Sequence, residues 1–490
     1  MEEKKDSESS EKRRTMRLAL RDGSAFNVME HFGTAYFEAF LVALGFVASQ
    51  LSAILTVPHF LNSLLQLLSQ KLIRRFGRFN VMAYGIFFQS MSIVLFVFLG
   101  MLIYQELLPM NPLLIIISLS FFYATGTIAG HAWISIMGDI VPENRRGRYF
   151  SARAKIMAFT ALVSLIAAGL IVDWLDSIYG VYGFIAIFAI AVIARLYSFM
   201  LLRQFYDPSY EPMSRTEEFS FFRFIAQTRR SNFARYSWFM GAFIFSVFIV
   251  APILSYYQLR ILEFSYFQFT MLKVFFLIGS ILSLSFWGKV TDTYGNRVVF
   301  FGTGILASTL AMGWAFITDF WMLLALEIYA GIVWSGFNLA TSNYIFDAVT
   351  PKKRAIVSSY IALMRGTAIL LSGQVALLLL NAEGFLESDI AMSLFGTKYQ
   401  VIFFVSGLLR LTTVLLFLKL VREVRTVQNK DFFGIILSET YDYRLNTGYI
   451  ISTVTKPVRY VFSRFEQIEE RSLEKVLKDD DDENKEKRKG

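Results

Sequence analysis

Long stretches without a single charged side chain dominate this sequence. Residues 39–70, 79–105, 107–138, 156–172, 177–194, 236–259 and 298–318 contain no Asp, Glu, Lys or Arg. Four further apolar stretches are interrupted once each, by Lys273, Glu327, Arg365 and Arg410, and the segment before residue 39 holds Glu30 and Glu38. A helix crosses the hydrocarbon of a bilayer with about 20 apolar residues, and its backbone groups are then satisfied within the segment. Divided at their polar turns, these stretches predict an all-α membrane protein with twelve spanning helices, at 24–48, 52–71, 79–104, 113–138, 154–174, 180–202, 233–257, 265–287, 298–318, 320–345, 355–380 and 400–420. The composition agrees: 55% of residues are hydrophobic, 18% are charged, and the mean hydropathy is +0.48. With no cysteine in the chain, disulfides, thiolate metal sites and cysteine nucleophiles are excluded.

An even number of spans puts both termini on one side, and the distribution of Lys and Arg says which. Alternate loops carry Lys71, Arg74, Arg75 and Arg78; Arg145, Arg146, Arg148, Arg153 and Lys155; six Arg between 203 and 235; Lys289 and Arg297; and Lys352, Lys353 and Arg354. The intervening loops offer only Arg260 and Lys398. The positive-inside rule therefore predicts cytoplasmic termini in a plasma (inner) membrane, and the net charge of +9 reads as its signature. Cations spread over short loops do not form the single basic face that nucleic acid requires.

The chain divides into a cytoplasmic tail at 1–22, a six-helix half at 23–202, a linker at 203–232, a second half at 233–421 and a cytoplasmic tail at 422–490. In that last segment Val454, Val458, Val461, Phe465, Ile468 and Val476 recur at helical spacing between basic residues. The pattern predicts an amphipathic helix, lying on the inner leaflet or packed on its own domain, before a charged, disordered end.

The halves repeat one another. Gly77 in Arg75-Phe76-Gly77-Arg78 and Gly295 in the segment Gly288 to Arg297 are 218 residues apart. Pro142, after Asp139, and Pro351, after Asp347, are 209 apart; Arg195 and Arg410, each seven residues after a Phe, are 215 apart. Landmarks in one order at nearly one offset indicate a parallel repeat about an axis along the membrane normal.

On these residues the chain resembles the major facilitator superfamily. Gly288, Asp292, Gly295 and Arg297 match that family's G-x-x-x-D-x-x-G-x-R loop motif. Asp139 to Arg148, with Arg145, and Asp347 to Arg354 match its D-x-x-P-x-x-x-R pattern. The resemblance covers residues 20 to 422. It implies a central cavity lined mainly by helices 1, 4, 7 and 10, opened alternately to either side, with Gly77, Arg78, Asp139, Arg145, Gly288, Asp292, Gly295, Arg297, Asp347 and Arg354 at the inner gate. The first-half motif departs from the family with Gln70 and Arg74 in place of Gly and Asp. The glycine-proline motif of family antiporters is missing from Ala158 to Val172, and helix 4 lacks the arginine of many drug exporters.

Ionisable groups inside a span cost about 3 kcal/mol or more at the centre, so each requires water, a partner or a function. His31 and Glu38 are seven residues apart, about 10 Å along one face of helix 1, with Gly45 continuing the stripe. A carboxylate and an imidazole there can exchange protons near neutral pH; the alternative is a protonated Glu38 bonded to a neighbouring helix. His131 shares a face with Thr127 and Ser135, as a cavity residue or a packing histidine. Glu327, Gly331, Trp334 and Asn338 combine acid, aromatic and amide on one face of helix 10, which suits a solute. Arg365 either attracts an anionic solute or guards the interface between the halves. The three histidines lack metal-ligand spacing, and no metal or cofactor is expected.

Without a phosphate-binding loop of the Walker A kind, direct ATP drive is not expected, and nothing else in the chain suggests an enzyme. The reading is a secondary active transporter of a small solute, proton-coupled and surrounded by membrane lipids. A membrane sensor or scaffold of the same fold and a lipid translocator are the alternatives.

Overall fold

The computed structural model describes residues 2–142, 145–208, 231–349, 354–382, 388–428 and 431–436, and among them it contains helices and no strand. Nine helical stretches among the described residues are long and apolar enough to cross a membrane. One of them, Arg146–Leu202, turns at Gly180–Tyr182 and holds two spans. Together they account for span 3 (Arg78–Tyr104), span 4 (Pro112–Ile140), span 5 (Arg146–Tyr179), span 6 (Gly183–Leu202), span 7 (Asn232–Phe248 with Ala251–Tyr256), span 8 (Tyr266–Tyr294), span 9 (Asn296–Phe316), span 10 (Phe320–Ala348), span 11 (Arg354–Asn381) and span 12 (Lys398–Leu418).

The first two spans are the more polar ones. Span 1 runs as one helix Glu2–Phe32, breaks over Thr34–Tyr36 and resumes as Phe37–Ala43; span 2 is Ala48–Gln66, followed by the short helix Ser69–Phe76. The helix of span 1 thus starts well before the expected residue 24. Thr15, Met16, Leu18, Ala19, Leu20 and Asp22 are buried, and the Tyr149 hydroxyl donates to the Met16 carbonyl at 2.9 Å. Gly45 does not continue a helical stripe, because it takes φ +96° beyond the end of the helix.

Local sequence sets the span ends. Asn111, Ser231, Ser265, Asp319 and Thr397 each accept a backbone N–H in the first turn of spans 4, 7, 8, 10 and 12. Gly77 and Gly295, the repeated glycines, occupy the turns into spans 3 and 9 at φ +79° and +87°, a region that L side chains rarely adopt.

Each half has its own aromatic core, which is where many of the 50 Phe go. Phe37, Phe40, Phe96, Phe184 and Phe188 interlock in the first half; Phe239, Phe243, Phe300, Phe301 and Phe337 do so in the second.

The halves meet along two long seams, span 2 on span 11 and span 5 on span 8, supplemented by the outer part of span 7 on spans 1 and 2. Small residues allow the approach. Ser52 Oγ donates to the Gly373 carbonyl at 2.9 Å, Gly373 abuts Thr56, Gly366 abuts Ser63, and Gly169 abuts Thr270. Tyr36 and Thr270 share a 2.6 Å hydrogen bond, the Phe267 N–H donates to Asp173 at 3.0 Å, and Arg260 donates to the Val42 carbonyl at 2.9 Å. All but the contact of Gly366 with Ser63, which lies deeper along the two spans, are on the side of the molecule away from the tails. Spans 4 and 10 make no comparable contact with one another. Among the described residues, the contacts between the halves therefore seal the far side and leave spans 4 and 10 apart on the side that carries the tails.

Candidate functional site

Beside the seam of spans 2 and 11, side chains from both halves converge. The ring of His59, on span 2, lies 4.7 Å from that of Tyr123, on span 4, at an interplanar angle of 31°, and 6.0 Å from that of Phe248, on span 7. Pro58 interrupts the helical hydrogen bonding just before His59. Glu30 and Glu38 are both within electrostatic reach of Tyr123. Arg365 reaches His59 and Tyr236 in the same sense. It is enclosed by protein on most sides yet open to solvent, as a cavity side chain is.

Glu38 and His31 lie on either side of a helix break. The break over Thr34–Tyr36 interrupts the face that their spacing implied. Instead, Ser255 Oγ donates to Glu38 Oε2 across the boundary between the halves. His31 donates from Nδ1 to the Asn27 carbonyl at 2.9 Å and lies within reach of Lys273. Glu30 accepts from the Thr34 hydroxyl at 3.2 Å.

On the other side of the cleft, Glu327 lies beside the Trp314 indole with Lys273 as neighbouring cation, while the Lys273 ammonium lies 4.6 Å over the Phe269 ring. Trp334 packs against Phe243 and Phe337, and Asn338 is exposed. Gly331 is not a cavity residue; it lets span 10 press against the Phe276 carbonyl of span 8. His131 is held by span 2. Gln66 Nε2 approaches its Nε2 at 3.1 Å, so the amide donates, and its Nδ1–H is left to donate to Ser69 Oγ at 3.2 Å.

The expected gate residues gather at the tail side, each half separately. Arg78, 1% exposed, binds Asp139, donates to Asp207 at 2.7 Å and to the Pro208 carbonyl at 2.9 Å, and so ties span 3 to span 4 and to the end of span 6. Arg145 caps span 5. In the second half Arg297 donates from its backbone N–H to Glu423 at 2.7 Å and from Nε to the Val421 carbonyl at 2.6 Å. Asp347 accepts from Asn296 at 2.6 Å and from Arg425 at 2.8 Å. Asp292 is 80% exposed, with Arg425 as a neighbour at 3.9 Å. An added Cβ at Gly288 would meet nothing within 4 Å. Arg354 begins span 11 with its side chain outside the described residues, which also exclude Lys352, Lys353 and the expected amphipathic helix at 454–476.

The repeated arginines are both buried within their own halves. Arg195 donates from Nε to Gln89 at 2.8 Å and sits beside Ser198 and Asp22; Arg410 donates to the Ala307 carbonyl at 3.0 Å.

Two halves that open as a cleft at one end agree with what the sequence matches. Residues 23–270 and 239–464 each match the pattern of the Major Facilitator Superfamily. The chain belongs to the major facilitator superfamily. Its membership makes it a multi-pass membrane transporter by family. The superfamily fold recurs in solved structures: a single-residue mutant of the nucleoside transporter NupG superposes with a TM-score of 0.61 at 12% identity, covering 84% of this chain and 100% of that one. A bacterial homologue of the iron transporter ferroportin in its inward-facing state gives 0.60 at 13% identity, covering 84% and 99%. In sequence, the chain is 31% identical over 96 residues to a D-xylose transporter from Levilactobacillus brevis, spanning 20% of this chain and 21% of that transporter.

Proposed function

We propose that the protein is a secondary active transporter that moves a small solute across the plasma membrane by alternating access, coupled to protons through Glu38. The observation that carries this reading is the bond between Ser255 and Glu38, a span 1 carboxylate joined to span 7 where the far side is sealed. An ionised carboxylate accepts that bond; a protonated one can turn donor and select another partner, so loading a proton would alter the seal itself. The tail side, rich in Lys and Arg, faces the cytoplasm in this reading, which makes the described state inward-open. The rings of His59, Tyr123 and Phe248 offer faces to a ring-shaped solute, with Asn338, Glu327 and Arg365 supplying polar contacts. Likeness to the D-xylose transporter over a fifth of the chain puts pentoses at the head of a solute screen.

The test is transport in proteoliposomes. Wild-type protein is expected to accumulate or extrude solute under an imposed pH gradient. Glu38→Gln should lose gradient-driven movement while retaining solute binding and exchange at equal concentrations. His31→Ala, acting at a distance, should shift the pH optimum with a smaller loss of rate. Full gradient-driven transport by Glu38→Gln would remove Glu38 from the coupling and leave Glu327 as the next carboxylate to examine.

A further inference from the structure

The two halves complete the same gate structure by different means. In the first half Arg78, the residue after the turn glycine Gly77, bonds Asp139 at the end of span 4. Its counterpart after Gly295 is Asn296, fully buried, which donates a single N–H to Asp347, the counterpart of Asp139. An amide there leaves two defects. Asp347 receives no positive charge from the repeat, and Asn296 Oδ1 is buried without a hydrogen-bond partner.

The missing guanidinium comes from outside the repeat. Arg425, seven residues beyond the end of span 12, presents Nε to Asp347 Oδ2 and NH2 to Asp347 Oδ1, both at 2.8 Å, in the two-pronged arrangement that suits a carboxylate. A second acid of the motif, Asp292, lies 3.9 Å from the same side chain. The segment is anchored on both sides of Arg425. Before it, Glu423 accepts the Arg297 N–H. After it, the Phe432 ring stacks over Trp287 at 6.3 Å with planes 8° apart, fills the space left by Gly302, and is followed by the fully buried Ile435.

We infer that Arg425 is the gate-positioning residue of the second half: it supplies to Asp347 what Arg78 supplies to Asp139, and in the open state it keeps Asp292 on its own half. The first role binds the ends of spans 9, 10 and 12 into one block. The second makes Arg425 a competitor of whatever cation Asp292 meets when the tail side closes. The gate role rests on the transporter reading above, but the measurements below need no solute and so test Arg425 independently of it.

The full chain contains no cysteine, so spin labels at Ser151 on span 5 and Ser342 on span 10 report the tail-side opening. Arg425→Ala is expected to lower the apparent Tm by about 2 to 5 °C and to move the distance distribution toward the shorter, closed state. Both changes should shrink markedly in an Asp347→Asn background, because the residues act as one unit. Arg425→Ala with Asn296→Arg, which returns the arginine to its repeat position, should recover the Tm, whereas Arg425→Lys should recover it only in part. Wild-type behaviour of Arg425→Ala would overturn the inference, as would effects of equal size in the Asp347→Asn background. If Arg425→Ala does not fold, the charge-neutral pair Arg425→Ala with Asp347→Asn decides: a folded pair supports the assignment, and one that fails likewise refutes it.

Discussion

Ser255 carries more of the proposed mechanism than its size suggests. A hydroxyl donating to a carboxylate contributes about 1.5–3 kcal/mol, enough to shift a two-state equilibrium by tenfold or more. Ser255→Ala should therefore raise the far-side-open population by about that factor, read from label distances across the far side, while Ser255→Thr retains the bond and the wild-type distribution. An unchanged distribution in Ser255→Ala would mean that the seal is held elsewhere. Residues of this kind were beyond the reach of sequence reading. Glu38 stands out because an acid in an apolar segment is costly, but a serine on another span gives no such signal. Tyr123 escaped for the same reason, and His59 was weighed only as a metal ligand: only the fold brings their rings together. Asp22 read as part of a polar tail because Arg17 and Arg21 flank it, whereas Ser198 and the nearby Arg195 make its burial tolerable.

Among the elements, spans 3 to 12 were legible because a long apolar run interrupted by at most a single charge has one stable home, and capping residues mark where spans 4, 7, 8, 10 and 12 begin. Span 1 was not, since its break falls at Gly33 and Thr34, residues common inside membrane helices. Asp292 shows how an element's role can be tested apart from its packing. In the proposed cycle its carboxylate meets the first half when the tail side closes, so Asp292→Asn should favour the open state at near-normal expression, opposite in sign to Arg425→Ala. Label distances that stay at wild-type values in Asp292→Asn would remove that role. The seam between spans 2 and 11 yields a further expectation. Gly373→Leu forces a side chain into Thr56, an overpacking that costs about 1–3 kcal/mol in the far-closed state alone. The variant should shift toward far-side-open by roughly tenfold, and solute access from the tail side should fall accordingly.

For the molecule as a whole, the repeat and the charge bias predict which surface meets which compartment. Single cysteines introduced at position 216 should resist an impermeant thiol reagent added to intact cells, and one at position 385 should react; labelling at 216 would reverse the orientation. The overall architecture was readable because it follows from hydropathy and self-similarity, both of which survive without coordinates. Arg425 was not, since it lies after the last span, where no periodicity or motif singles it out. One consequence follows from the small residues that line the seams. Ser52, Thr56, Ser63 and Thr270 give up only a few carbonyl or hydroxyl partners when the far side parts, and water entering the new cleft can replace them. The cost of unsealing then rests with the larger contacts, Tyr36 on Thr270 and Phe269, Arg260 on the Val42 carbonyl and Ser255 on Glu38. The height of the barrier between the two states would depend on how readily spans 1 and 7 flex at their breaks.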